Sequence, residues 1–141
     1  MPLNCLVYAS LATQKFTDDQ LLSLLKKARD NNERLDITGM LLYRDGFFMQ
    51  VLEGDLDDIE ELFDVIADDS RHSDIIVVYK KPIKQRSFAK WTMGFNKIDD
   101  KNIESIKGFT QFLKNPTPEF FKQNASEAEA LLDQFKHQLL F

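Results

Sequence analysis

The stretch ITGMLLYRDGFFMQVLEG, residues 37–54, decides the fold. Two apolar runs flank Arg44, Asp45 and Gly46, and an Asp-Gly pair in that setting marks a tight hairpin turn. A strand alternates its side chains between two faces. In the second run Phe48, Gln50 and Leu52 therefore share one face, and Phe47, Met49 and Val51 share the other. The whole run is apolar except at Gln50. A primary amide buried there is costly unless its donors and acceptor find partners, and the strand itself offers none.

Working outward, residues 3–10 read as a strand with Leu6 and Tyr8 on one face, Cys5 and Val7 on the other. A loop over residues 11–16 leads to Thr17, an N-cap with Gln20 at the capping-box position. The helix that follows carries Leu21, Leu24, Leu25 and Ala28 at helical spacing. Asn31 and Asn32 close it. After the hairpin, Asp55 opens a second helix, with Asp57 and Asp58 favourably placed in its first turn. Its apolar stripe is Leu56, Ile59, Leu62, Phe63 and Ile66, and the turn formers of residues 68–74 end it. Residues 75–83 form a further strand, and residues 91–97 a short last one carrying Trp91 and Met93.

The order β-α-β-β-α-β plus one strand predicts an α+β, ferredoxin-like fold: a mostly antiparallel sheet with both helices on one face. It sets the first and third strands, with Tyr8 and Gln50, side by side at the centre. A sheet apolar on both faces needs two covers. The second is expected from two helices in the tail, residues 98–141, separated by Pro116 and Pro118. The expected organisation is one unit over residues 1–97 and a helical extension over 98–141.

Composition narrows the function. The net charge is −5, so the chain gains no counterion-release energy on a polyphosphate and nucleic acid is not its expected partner. No apolar run reaches the ~18–20 residues that span a bilayer, and no basic segment precedes the first apolar stretch, so a cytoplasmic protein is expected. Cys5 is the single cysteine, and with two histidines it forms no metal-ligand spacing; no metal is expected. Tyr8 and Gln50 on adjacent strands, with Asn31, Asn32, Arg71 and His72 at helix ends, could line a slot between the two helices. An apolar slot with a few convergent polar groups suits a planar cofactor. Each residue alone also has a plain structural reading: a satisfied core amide, a core tyrosine, helix-end asparagines, a solvated turn.

Together these positions resemble the BLUF family, blue-light sensors that use flavin. The likeness covers about the first 97 residues: VYAS with Tyr8 and Ser10, ARDNN with Asn31 and Asn32, the hairpin with Gln50, IADDSRHSDI, and RSFAKWTMGF with Trp91 and Met93. The resemblance implies a noncovalent flavin, usually FAD, with FMN or riboflavin as alternatives. It implies that Asn32 bonds the C4 carbonyl and N3–H edge of the ring, that Asn31 holds the polar end, and that Arg71 approaches the C2 carbonyl with Asp69 and His72 nearby. Ile37 and Ile66 are the implied apolar walls. Tyr8, Gln50, Ser10, Trp91 and Met93 are the implied photoswitch, in which light-driven electron and proton transfer from Tyr8 rearranges the Gln50 amide. No substrate is turned over. The expected type is a short stand-alone sensor that signals to an unidentified downstream protein by contact and self-associates as a homo-oligomer. Two rivals share the strand order: a cofactor-free interaction domain, and an acylphosphatase-like hydrolase using Arg71 and Asn32. The second needs a Gly- and Arg-bearing phosphate loop after the first strand, and residues 8–16 lack both.

Overall fold

The computed structural model of the chain describes residues 3–14, 16–44, 46–89, 93–97 and Leu132. Five strands form one sheet: β1 (Leu3–Ala12), β2 (Thr38–Arg44), β3 (Phe47–Asp55), β4 (His72–Ile83) and β5 (Gly94–Lys97). Two helices, α1 (Asp18–Leu35) and α2 (Leu56–Ala67), complete the element order. The strand order is β4-β1-β3-β2-β5, antiparallel throughout except that β5 runs parallel to β2. β1 and β3 are adjacent, and Tyr8 pairs directly with Gln50.

Local chemistry explains where the elements start and stop. Thr17 caps α1: its hydroxyl accepts from the Gln20 N–H while the Gln20 side chain accepts from the Thr17 N–H. That reciprocal pair satisfies two of the donors a helix start leaves open. Helix α1 runs on to Leu35, and Asp36 takes the left-handed conformation that ends it. Asn31 and Asn32 therefore lie inside its last two turns, not at its end. Asp55 caps α2 by accepting from Asp57 N–H. Gly46 sits at φ 92° in the hairpin, a backbone conformation glycine enters without steric cost.

Two elements differ from expectation. β1 continues through Leu11 and Ala12, read as loop from sequence. β4 starts at His72, three residues before the apolar run, because register shifts between Val7/Tyr8 and Ala9/Leu11 let polar residues join the ladder. An irregularity of this kind tolerates turn-forming side chains inside a strand. Asp74, at φ 54°, lies there. Met93 sits one residue ahead of β5, and Trp91 lies outside the described residues.

The alternation of the central strands divides the core. On the helix side Leu6, Tyr8, Leu41, Phe48 and Leu52 pack with Leu21 and Leu25 of α1, Ile59 and Leu62 of α2, and Met93. On the far side Cys5, Val7, Ala9, Met40, Leu42, Phe47, Met49 and Val51 form a second cluster. Phe88, between β4 and β5, covers part of it, and so does Leu132 from the tail, helical and 3% exposed. The two expected tail helices otherwise fall outside the described residues. Burying a side chain of this size contributes about 1.5–3 kcal/mol, so both faces stabilise the fold.

Gly39 is required by close packing. A Cβ there would meet the Val51 carbonyl oxygen at 1.9 Å and the Met93 methyl at 3.4 Å. The first contact is with backbone and cannot be relieved by a rotamer change. Gly39→Ala is expected to destabilise the fold by about 3 kcal/mol, read as a lower midpoint in thermal unfolding; an unchanged midpoint would show that β2 and β3 can spread.

Candidate functional site

α1 and α2 stand on the helix side of the sheet and leave a cleft between them of about 780 Å³, counting its open mouth. Leu24 and Ala28 of α1 line one wall, Leu62, Val65 and Ile66 of α2 the other. The floor is sheet: Tyr8, Leu41, Phe48 and Gln50. Polar groups gather at the ends, with Asn31, Asn32 and Lys27 from α1 and Asp69, Arg71 and His72 from the α2–β4 turn.

Gln50 is 5% exposed at the centre of that floor. The Tyr8 hydroxyl donates to its Oε1 at 2.5 Å. Its Nε2 donates to Met93 Sδ at 3.4 Å. Met93 fixes which way the amide points. A thioether can only accept, so the NH₂ end must face it and the oxygen must face the phenol. The second hydrogen on Nε2 has no partner among the described residues. A buried donor left unmade is expensive, and it borders the cleft. The site is built for a ligand that accepts.

Tyr8 itself is held neutral. Burial raises its phenol far above the ordinary value of 10.0, and the Asp69 charge adds to the rise. The folded state holds the proton more tightly, so this stabilisation is complete below pH 10 and declines as pH rises beyond it. We expect the Tyr8–Gln50 bond to survive at pH 10, where an ordinary tyrosine is half ionised. Phenolate absorbance during a pH titration reads this directly: Tyr8→Phe should remove an ionisation lying well above pH 10.

The turn after α2 is tied down at several points. Asp69 accepts from Arg71 Nε at 3.0 Å and from its Nη2 at 2.5 Å. That bonding holds the Asp69 carboxyl down to about 2. Thr13 N–H donates to the Arg71 carbonyl at 2.9 Å, pinning the turn to the end of β1. His72 Nε2 lies 2.5 Å from the Ile66 carbonyl oxygen and Nδ1 lies 3.0 Å from Ser10 Oγ. A carbonyl only accepts, so Nε2 carries the hydrogen and Nδ1 accepts from the Ser10 hydroxyl. Tyr8 meets His72 edge-on at 6.3 Å and Phe63 at 5.6 Å.

Of the residues singled out from sequence, Tyr8, Gln50, Asn31, Asn32, Ile66, Asp69, Arg71 and His72 converge on the cleft. Met93 and Ser10 reach it through hydrogen bonds to Gln50 and His72. Ile37 does not line it. Ile37 follows the α1 cap and is buried beside Gly54, where a Cβ would meet its Cγ1 at 3.3 Å. Sequence reasoning passed over Lys27 and Phe16. Lys27 reads as one more solvated helix cation, and Phe16 as a loop residue, although Phe16 stacks edge-on to Phe48 at 5.2 Å.

A family model described as sensors of blue-light using FAD matches residues 3–94. The chain belongs to the BLUF family. Among curated relatives, the photoactivated adenylate cyclase subunit beta of Euglena longa is 39% identical over 92 residues, 64% of this chain and 11% of that protein. The chain thus spans about a tenth of the length of the curated relatives it matches. Among solved structures, the photo-activated state of BlsA superposes with a TM-score of 0.77 at 31% identity, covering 96% of this chain and 95% of that one. BlrB, a BLUF protein in its dark state, gives 0.71 at 28% identity, covering 91% and 97%. BLUF domains are flavin-binding light sensors and not enzymes, and the Tyr8–Gln50 bond is of the kind found in BLUF flavin sites. The described residues fit a flavin: apolar walls for a flat ring, the buried Asn32 amide and the part-buried Asn31 amide at its polar end, and a Gln50 amide hydrogen with no acceptor among the described residues. Among the described residues no helix is long and apolar enough to cross a membrane, and no group of His, Cys, Asp and Glu could hold a metal ion.

Proposed function

We propose that this BLUF chain binds FAD noncovalently and that its switch is the chain Tyr8–Gln50–Met93. The observation that carries the reading is the 2.5 Å bond from the Tyr8 hydroxyl to Gln50 Oε1. When bound, the flavin supplies blue-light absorption and, once excited, the pull for an electron. Tyr8 is the buried donor in reach. A phenol that loses an electron becomes strongly acidic, and its hydroxyl hydrogen already lies on Gln50 Oε1. The proton moves to that oxygen and returns when the electron does. The amide is then free to settle in a second arrangement, rotated or tautomeric. Either form changes what Gln50 offers to the cleft at no cost in net charge.

The other residues serve binding. Asn32, 1% exposed, would present its amide to the ring's polar edge, and Asn31 would hold the polar end. Arg71 would meet a carbonyl, oriented by Asp69. Lys27 supplies a cation at the mouth suited to phosphate, which favours FAD or FMN over riboflavin. Residues 1–97 would form the sensor and 98–141 its extension. The output would be contact with a downstream protein or with a second copy of the chain, in the cytoplasm.

An absorption spectrum in the dark and just after blue light tests the proposal. The expected result is a flavin spectrum that shifts slightly to the red and relaxes. A bound flavin whose spectrum never moves would overturn the switch.

A further inference from the structure

Arg29 does not line the cleft. It lies on α1, three residues before Asn32, between exposed Lys26 and Lys27 and exposed Asp30, yet it is half-buried. Its Nε donates to the Met93 carbonyl at 3.0 Å. Met93 is fully buried and its Sδ accepts from Gln50 Nε2. The chain of contacts therefore runs from α1 through Met93 to the switch amide. Met93 needs such a tie. It precedes the first paired residue of β5, Gly94, and a methionine side chain has three rotatable bonds and adapts to whatever space it is given. With its carbonyl held, the sulfur is confined to the ground beside Gly39 and Gln50.

We propose that Arg29 is a positioning residue of the photoswitch, fixing Met93 Sδ as the acceptor that holds Gln50 in its dark orientation. The inference rests on reading Gln50 as the switch. An arrangement of Gln50 that withdraws its donor leaves Sδ without a partner. A sulfur held in place then favours the return. Loosening it removes that bias and slows recovery. Arg29 also shares α1 with Ala28 and Asn32 of the cleft wall.

The test compares Arg29→Leu, which keeps the apolar stem and helix propensity but cannot donate, with Arg29→Lys, which can. In the flavin-loaded protein, Arg29→Leu should slow dark recovery roughly three- to tenfold, the range a typical net hydrogen-bond contribution commands, and Arg29→Lys should restore most of it. In the flavin-free protein, the methyl carbon resonance of Met93, assigned through Met93→Leu, should move in Arg29→Leu and return in Arg29→Lys. Should Arg29→Leu fail to fold, Arg29→Ala carries the same two readouts. Recovery that is unchanged or faster, or a methyl signal that stays in place, overturns the role of Arg29. Gln50→Ala run alongside separates the two readings: a wild-type light response in that variant defeats the switch itself and this inference with it. Loss of response there, with Arg29→Leu unaltered, defeats only the inference.

Discussion

Tyr8→Phe should bind flavin as the wild type does and show no light-induced red shift. The ring remains, so the contacts with Phe63 and His72 and the floor of the cleft are kept. What goes is the hydroxyl that donates to Gln50 Oε1. Two consequences separate cleanly. The electron and proton source is gone, so the photocycle is lost. The amide oxygen is left buried without its donor, which costs about 1–3 kcal/mol and should appear as a lower unfolding midpoint. The decisive measurement is the light-minus-dark difference spectrum. A difference band of wild-type size would remove Tyr8 from the mechanism.

Glu53→Ala should be the most destabilising single change outside the apolar core. Glu53 is 2% exposed, on the face away from the cleft. Its carboxylate accepts from Ser87 N–H at 2.7 Å, Phe88 N–H at 2.9 Å and the Thr38 hydroxyl at 3.2 Å. Arg86 closes the network, donating to Thr38 Oγ1 and to the Glu53 and Asp36 carbonyls. Alanine would strand the buried Phe88 amide hydrogen, the part-buried Ser87 amide hydrogen and the Thr38 hydroxyl together, a loss of about 3 kcal/mol. Glu53→Gln keeps one acceptor and should lose about half as much. Urea unfolding of the three proteins measures it, and an alanine variant within about 0.5 kcal/mol of wild type would mean that other groups hold the connection between β4 and β5.

The hairpin and both caps were legible because their signals are local. An Asp-Gly pair, a Thr-x-x-Gln box and a period-two apolar run each report on a few neighbouring residues. Gln50 stood out because an amide in such a run has no local partner. Its pairing with Tyr8 followed from topology, which sets β1 beside β3. What resisted reading depends on contacts between distant segments. Glu53 looks like a strand-end acid until the β4–β5 connection covers it. Arg29 looks like one cation among several on a solvated helix face until Met93 arrives 64 positions later. The Ser10–His72 bond needs the irregular β1–β4 register, which no spacing announces. Ile37 was placed by likeness to a family; it directly follows the α1 cap and is buried in the helix-side cluster with Leu21, Leu41 and Leu52.

Gln50 and its chain neighbours Met49 and Val51 face opposite ways, the first toward the cleft, the other two into the cluster that includes Leu132. Between the light-sensing chemistry and the surface that Leu132 covers there is a single peptide plane. A tilt of that plane needs no relay of side chains to be felt on the other side. Whatever reads this protein could do so from behind the flavin, through the thickness of one strand.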